Sequence, residues 1–330
     1  MTRIIKGRQM TARYYKGREV LKEYKQGRLV YEKSTSIPDY LCFTALEAGQ
    51  FTLTIPAAVT PTYLSYVEWS KDGRTWNHTD NTSEAVTIDV QVASGEKVYW
   101  RGSGNCMTAL NAGDPYSSKF SSTCRFDASG NITSLLLGVN YVTAIVNYST
   151  SGVRNVTFAN LFRGCTTIVN AKDLILPTFT SYYTYIFYCV FNGCTSLVSA
   201  PHLPSTDAAT WCYGQTFQGC TNLLAVAEMP LTTLAANCCR QMYQGCSLIT
   251  RAQLPTVGAL VDNCYYRMFL GCSALTYVKC LATDISATGC LSDWLYGVSS
   301  TGTFIQADGV TWPRGASGIP TNWTIETQTP

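Results

Sequence analysis

The sequence predicts a multi-domain β protein that continues into an α/β solenoid, with an N-terminal short β-meander, a small antiparallel β-sandwich and a C-terminal array of repeats. Three observations predict this fold class: glycines every ten residues at the start, strand-like alternation after residue 37, and Gly-Cys pairs at a near-constant interval in the second half. The chain has 330 residues, 46% hydrophobic and 14% charged. This composition is sufficient for folded cores and argues against disorder.

Residues 1–36 are predicted to form a basic β-meander that acts as a docking arm. Gly7-Arg8, Gly17-Arg18 and Gly27-Arg28 recur every 10 residues, with aromatic and β-branched residues between them, which is typical of short strands joined by turns. Ten Lys and Arg against three Glu give residues 1–33 a charge of +7, so the total of +3 leaves −4 for residues 34–330. The basic residues assigned to docking are Arg8, Arg13, Lys16, Arg18, Lys22, Lys25 and Arg28.

The arm is expected to pack against a partner, because so short a sheet buries too little apolar surface to be stable alone. An acidic protein surface is the favoured partner. Nucleic acid, bound by phosphate neutralisation and tyrosine stacking, is the less favoured alternative.

Residues 37–103 alternate apolar and polar side chains and predict a β-sandwich, either immunoglobulin-like or a small barrel. Asp72-Gly73, between Trp69 and Trp76, predicts a hairpin. Trp69, Trp76 and Trp100 are assigned to the core rather than to a ligand platform. Residues 104–155 are assigned to an N-terminal cap that leads into the repeats.

Residues 156–290 are predicted to be repeats of about 26 residues, because the cysteines of the five Gly-Cys pairs are 29, 26, 26 and 26 residues apart. Mostly apolar residues stand four and three positions before these cysteines and, in the later repeats, eight and seven positions before them, and these positions lie on one face of an α-helix. A short apolar segment and a proline-containing loop follow the cysteine. Each repeat is therefore predicted to be a helix, a Gly-Cys turn, a short strand and a loop. The five cysteines are Cys165, Cys194, Cys220, Cys246 and Cys272.

The stretches FNGCTSLVSAPHLP, FQGCTNLLAVAEMP, YQGCSLITRAQLP and FLGCSALTYVKCLA resemble BspA-like leucine-rich repeats. The resemblance covers roughly residues 155–330, with residues 291–330 similar to a terminal cap in proteins of gut Bacteroidales and their phages, including crAss-like phages. It implies a leucine-rich-repeat solenoid whose surface binds proteins or glycans and which has no shared catalytic residues.

The sequence contains fifteen cysteines. In a helix, a cysteine eight positions before another lies about 12 Å from it, too far for a disulfide. The sequence has no C-x-x-C pair and no Cys/His cluster, so no metal site is expected. The cysteine columns are predicted to be reduced thiols that face the core.

No enzyme activity and no cofactor are expected. His78 and His202 are far apart in any repeat model, and the chain has no phosphate loop, dinucleotide fingerprint or paired carboxylates on one helix face.

The favoured hypothesis is a phage virion protein of the head-fibre, capsid-decoration or tail-fibre type. Its arm would contact other virion proteins, and its repeats would bind a glycan or protein on the host surface. Tyr182, Tyr183 and Tyr185 are the candidate binding residues, because tyrosine combines a flat ring with a polar tip. The alternative is a BspA-like bacterial surface or interaction protein with a role in adhesion. A virion location agrees with the N-terminus, which has no apolar signal region, and no membrane insertion is expected. The oligomeric state is left open, a homo-oligomer included.

Overall fold

The computed structural model of the protein describes residues 14–15, 18–19, 22–25, 28–32, 38–57, 64–81, 84–104, 117–145 and 158–329. The chain forms two compact units, residues 1–38 and residues 39–330. The sequence-based boundaries at residues 103, 155 and 290 all fall inside the second unit.

The described residues of the first unit form four short strands in two separate antiparallel pairs. The strands are β1 (Tyr14–Tyr15), β2 (Arg18–Glu19), β3 (Lys22–Lys25) and β4 (Arg28–Glu32). β1 pairs with β2 and β3 pairs with β4, so the described residues form two hairpin-like ladders instead of one meander. Of the docking residues, four lie in these strands, and Arg8, Arg13 and Lys16 lie outside the described residues.

The second unit begins with two sheets. Their strands are β5 (Leu41–Ala45), β6 (Gly49–Ile55), β7 (Leu64–Ser70), β8 (Asn77–Asp80), β9 (Val86–Val92), β10 (Lys97–Gly104), β11 (Lys119–Ser122), β12 (Phe126–Asn131) and, after β13 (Ala144–Ile145), β14 (Ile168–Ile175). One sheet has the order β14-β12-β5-β10-β7-β8 and the other the order β11-β6-β9. The sheets do not end at residue 103, because β12 continues the larger one and pairs in parallel with β14, a strand of the first repeat.

Aromatic side chains join the two sheets. The ring of Phe43 on β5 lies 5.5 Å from that of Phe51 on β6 and 4.7 Å from that of Phe120 on β11. Trp100 is fully buried in the same core. Trp69 is half-buried against it. Trp76 instead lies half-buried near the surface, where the guanidinium of Arg101 stands 3.9 Å from its ring centroid.

The predicted hairpin at Asp72-Gly73 is confirmed, because β7 pairs with β8 in antiparallel register across it. Gly73 has a φ of 66°, and the backbone N–H groups of Thr75 and Arg74 donate to the Asp72 carboxylate at 2.7 and 2.8 Å. These bonds lower the pKa of Asp72, so the carboxylate holds the turn in its ionised form.

The repeats contain turns where the sequence pattern predicts helices. The described residues contain one four-residue α-helix, α1 (Ser134–Leu137), followed by a 3-10 turn at Gly138–Asn140. Residues 209–219, for example, form consecutive turns. Every fourth residue has a left-handed backbone conformation: Trp211 (φ 59°), Gln215 (φ 54°) and Gly219 (φ 74°). A left-handed residue cannot occur inside a right-handed helix. The predicted fold class is therefore wrong: the described repeats are built from turns and strands, and no α/β solenoid of leucine-rich repeats is formed.

Backbone hydrogen bonds explain how the turns are stabilised without a helix. Alternate N–H groups stay within the turn and donate to the carbonyl three residues back, as Gln218 does to Gln215 at 3.2 Å. The N–H groups between them donate to the next repeat, as Gln215 does to Arg240 and Gly219 to Gln244, both at 2.8 Å. Because the two kinds alternate, every N–H from Trp211 to Gly219 has a backbone acceptor and consecutive repeats are joined in register.

The other side of the repeats carries parallel strands. β13 pairs with β15 (Thr178–Phe179), and a four-stranded sheet follows the order of the chain: β16 (Arg251–Gln253), β17 (Tyr277–Cys280), β18 (Thr303–Ala307) and β19 (Thr324–Gln328). The segment assigned to the C-terminal cap thus continues the parallel pairing of the repeats through β18 and β19. We call the side formed by these strands and the equivalent segments of the other repeats the strand side.

Equivalent core residues of neighbouring repeats stack on each other. Five rings form one column with centroid distances of 5.4 to 5.6 Å and nearly parallel planes: Phe162, Phe191, Phe217, Tyr243 and Phe269. The predicted inward orientation of the column cysteines is confirmed, because all fourteen cysteines in the described residues are buried, and none of them forms a disulfide. Each Gly-Cys thiol from the second repeat onward donates to a carbonyl of the preceding repeat, for example Cys220 Sγ to Phe191 O at 3.1 Å.

No helix in the described residues is long and apolar enough to cross a membrane.

Candidate functional site

The turns present a face of half-exposed aromatic, amide and arginine side chains, which we call the turn face. In each four-residue turn two side chains point into the core and two point outward, so the outward positions of neighbouring repeats form rows. The rows place polar and aromatic groups of four repeats side by side. The turn face consists of Tyr185, Tyr188, Trp211, Gln215, Gln218, Arg240, Gln241, Gln244, Tyr266 and Arg267.

Three aromatic rings form a cluster at one end of this face. Tyr185 stacks on Trp211 with a centroid distance of 5.8 Å and an angle of 10° between the planes. Tyr188 meets both rings edge-on, at 5.5 and 5.7 Å. Gly214 makes this arrangement possible, because a Cβ at that position would lie 2.8 Å from Trp211 Cε3 and 3.2 Å from Tyr188 Cδ2. Neighbouring repeats carry larger side chains there, so Gly214 is the residue that admits the indole.

Two arginines continue the aromatic cluster. Arg240 Cζ lies 5.3 Å from the ring centroid of Trp211 and 4.0 Å from that of Tyr266, so the guanidinium is placed between two rings. Arg267 Cζ lies 5.0 Å from the Tyr266 ring, and its Nε forms an ion pair with Asp293 Oδ2 at 3.1 Å. Cation–π contacts of this kind fix the plane of an arginine side chain.

A ladder of primary amides runs beside the rings. Asn192 Nδ2 donates to Gln218 Oε1 at 2.8 Å, and Gln218 Nε2 donates to Gln244 Oε1 at 3.1 Å. In the next row, Gln215 Nε2 donates to Gln241 Oε1 at 3.1 Å, and Gln241 Nε2 donates to Gln244 Oε1 at 2.7 Å. Gln244 Oε1 thus accepts two of these bonds. The Nε2 of Gln244 donates to no group in the described residues.

Tyr188 connects the amides to the aromatic cluster. Its hydroxyl donates to Gln215 Oε1 at 3.3 Å. Burial raises the pKa of this phenol well above its ordinary value, so the hydroxyl remains protonated and neutral across the physiological range. The amide ladder and this phenol together offer donors and acceptors without net charge, and Arg240 is the adjacent positive group.

The three tyrosines chosen from the sequence occupy different environments. Tyr182 is 78% exposed, Tyr183 is fully buried, and Tyr185 is half-buried in the aromatic cluster. The structure therefore places Tyr185 beside Trp211 and assigns Tyr183 to the core. Sequence reasoning did not select Trp211 and Arg240. Both residues are predictable if the repeats are assumed to consist of four-residue turns, because the positions nine and six before each Gly-Cys cysteine then lie on one outward face. Trp211 is nine positions before Cys220, and Arg240 is six positions before Cys246.

A cleft of about 260 Å³ lies on the strand side, between residues 198–202 and residues 224–228. His202 Nδ1 lies 3.5 Å from Glu228 Oε2 at its rim, and both side chains are exposed. Apart from Ser199, its other lining residues are aliphatic, and its two ionisable groups face each other. This cleft offers fewer directed polar groups than the turn face.

A second polar cluster lies on the larger sheet. His78 stands between Glu68 Oε1 at 3.2 Å and Asp80 Oδ1 at 3.0 Å, and Glu68 also pairs with Arg101. Hydrogen bonds to Asp80 and Glu68 raise the pKa of His78. Each ionisable group of the cluster already has a partner, so it resembles a surface ion-pair network more than an open site.

The described residues offer little for catalysis. No group of three or more His, Cys, Asp or Glu side chains in them is arranged to hold a metal ion. Burial raises the pKa of the Cys220 and Cys272 thiols to about 12, so these thiols are protonated and poorly nucleophilic at neutral pH. The histidines are not near each other: His78 belongs to β8 and His202 to a repeat loop.

Comparison with known proteins finds no matching family model, no matching curated protein and no matching solved structure.

Proposed function

We propose that the protein is a non-catalytic attachment protein that binds a cell-surface glycan with its turn face. The observation that carries this proposal is the half-exposed aromatic cluster beside a ladder of primary amides. Sugar rings have apolar C–H faces that stack on aromatic rings, and their hydroxyls bond amide groups, which both donate and accept. The same rows repeat at the spacing of neighbouring repeats, which suits a chain-like ligand.

The biological setting that we propose is a phage virion, in which the protein is a head-fibre, capsid-decoration or tail-fibre component. Two sequence features support it: the resemblance of the Gly-Cys repeats to proteins of gut Bacteroidales and their phages, and the charge of +7 on residues 1–33. In this setting the basic arm contacts acidic surfaces of other virion proteins, and the turn face remains available to the host.

The double variant Tyr185→Ala/Trp211→Ala is expected to bind host cells about tenfold more weakly than the wild type, because aromatic anchors such as these two stacked rings of the turn face dominate contacts of this kind. Flow cytometry with labelled protein on intact host cells and on periodate-treated cells measures the binding and its dependence on glycan. Tyr277→Ala is the matched control, since that half-buried tyrosine lies on the strand side, under Arg251.

Melting temperatures of the three proteins must be measured alongside, so that a loss of binding is separated from a loss of folding. Wild-type affinity in the double variant, or binding that survives periodate, would contradict glycan recognition by the turn face.

A further inference from the structure

Arg240 has an uncompensated positive charge on the turn face. Three other arginines in the described residues form ion pairs, Arg101 with Glu68, Arg125 with Glu47 and Arg267 with Asp293. No carboxylate in the described part of the chain pairs with Arg240. Its only hydrogen bond to a described residue is from Nη1 to Asn237 Oδ1, at 3.3 Å, and its buried Nε has no acceptor.

The environment of Arg240 also fixes its orientation. The rings of Trp211 and Tyr266 lie within 5.3 and 4.0 Å of Cζ, so both the position and the plane of the guanidinium are constrained before a ligand arrives. A guanidinium is a planar fork of N–H donors that matches the two oxygens of a carboxylate. A preorganised fork loses less conformational entropy on binding than a free side chain.

The neighbours of Arg240 complete a site for an acidic sugar. Gln241 and Gln244 are in the same repeat and supply amide groups, and Gln244 Nε2 has donors left for a hydroxyl. Trp211 stacks with Tyr185 on the other side. A sugar that carries a carboxylate would find a positive fork, amide partners and an aromatic platform within two neighbouring repeats.

We infer that the ligand of the turn face is a glycan with carboxylate groups, such as a uronic acid or sialic acid residue, and that Arg240 binds the carboxylate. This inference rests on the proposed function and names its ligand class.

A nucleic acid fits these observations less well, although its bases also stack on aromatic rings. Residues 34–330 carry a net charge of −4, and polyanion binding requires several cations to neutralise successive phosphates. On the turn face Arg267 is already paired with Asp293, which leaves Arg240 as the free cation among the residues that define this face. One free cation suits a ligand with isolated negative charges.

The test compares acidic and neutral probes on the full-length protein. Isothermal titration calorimetry measures binding of oligogalacturonate, of sialyllactose, of a sulfated galactan oligosaccharide, of the carboxyl-reduced oligogalacturonate and of lactose. The variants are Arg240→Gln, Arg240→Lys and the control Arg251→Gln. Arg251 is matched to Arg240 because its guanidinium also lies over a tyrosine ring, that of Tyr277 at 3.8 Å, but on the strand side.

We expect the wild type to bind at least one carboxylated probe at least tenfold more tightly than its neutral counterpart, since hydrogen bonds to charged groups are among the stronger ones. Arg240→Gln should remove this difference, because the carboxylated probe then loses the positive fork while both probes keep the amide and ring contacts. Arg240→Lys should retain part of it, because the charge remains and the fork is lost. Arg251→Gln should behave as the wild type, and melting temperatures identify any variant that is misfolded.

Equal binding of acidic and neutral probes would overturn the inference and leave the proposed glycan function standing. Equal losses in Arg240→Gln and Arg251→Gln, or preference for the sulfated probe, would also overturn it. Failure to bind any glycan, together with Arg240-dependent binding of a single-stranded oligonucleotide, would overturn both the inference and the proposed function.

Discussion

Replacing Gly245 by alanine is expected to lower the free energy of unfolding by about 1–2 kcal/mol, the cost of placing an L-residue with a side chain in the left-handed region. Gly245 has a φ of 78°, and an added Cβ would meet only the Cα and backbone N of Gly219, at 3.8 and 3.9 Å. The loss therefore comes from the backbone and not from a clash. Valine at the same position should cost more, because its branched Cβ tolerates this conformation least.

The sign of this effect tests the left-handed conformation of Gly245. A glycine with a negative φ and open space for a Cβ would instead gain about 0.4–1 kcal/mol of stability on replacement by alanine, because alanine restricts the unfolded chain. Gly258→Ala is the control, because that glycine does not have a positive φ and its added Cβ would have only Thr283 Oγ1 nearby, at 4.0 Å. Urea unfolding of the three proteins measures the difference, and a more stable Gly245→Ala variant would contradict the turn structure.

The variant Tyr243→Phe is expected to lose about 1–3 kcal/mol of stability, because it leaves a buried N–H group without an acceptor. Tyr243 Oη accepts from the backbone N–H of Ala227 at 2.8 Å, and both residues are buried. The stacked aromatic column has phenylalanine in neighbouring repeats, so the ring itself is replaceable and the hydroxyl carries the effect.

Tyr265→Phe is the matched control, because it removes the hydroxyl of an equally buried tyrosine but is not expected to lower stability. The Tyr265 hydroxyl has no hydrogen-bond partner in the part of the chain that the structure describes, so its removal should be neutral or slightly stabilising. Thermal and urea unfolding of both variants provide the comparison. If the two substitutions change the free energy of unfolding equally, the hydrogen bond from the Ala227 N–H to Tyr243 Oη does not stabilise the fold.

The sequence contains the repeat but does not determine its local conformation. Apolar residues eight, seven, four and three positions before each cysteine fit a helix with 3.6 residues per turn, and they fit a train of four-residue turns equally well. Over nine residues the two periods diverge too little for the apolar pattern to separate them. Trp211 and Gln215 have positive φ although their side chains do not favour that conformation, and only the glycine before each cysteine and residues such as Asn237 and Asn263 indicate it.

The strands between residues 40 and 103 were easier to predict. Alternation of apolar and polar side chains over seven residues, as in β9, is specific for a strand with one buried face. Their partners were not predictable from local pattern. β12 and β14 join the same sheet although they are separated by about forty residues, and such pairing depends on the whole core.

The candidate site was predicted only in part. Tyrosine frequency drew attention to Tyr182, Tyr183 and Tyr185, but exposure depends on which turn positions point outward. Trp211 and Arg240 come together with Tyr185 and Tyr266 only when the repeats are placed in register, one hydrogen-bonded spacing apart. Contacts between repeats 26 residues apart cannot be read from a single repeat.

Hydroxyl-radical footprinting of the full-length protein, free and saturated with its tightest glycan, tests the central claim most directly. Tyrosine and tryptophan side chains report on both sides of the repeats, so one measurement covers the turn face and the strand side. The account predicts that the ligand protects Tyr185, Trp211 and Tyr266 on the turn face and leaves Tyr277 and Leu224 on the strand side unchanged. Protection of Tyr277 and Leu224, with Tyr185 and Trp211 as reactive as in the free protein, would contradict it.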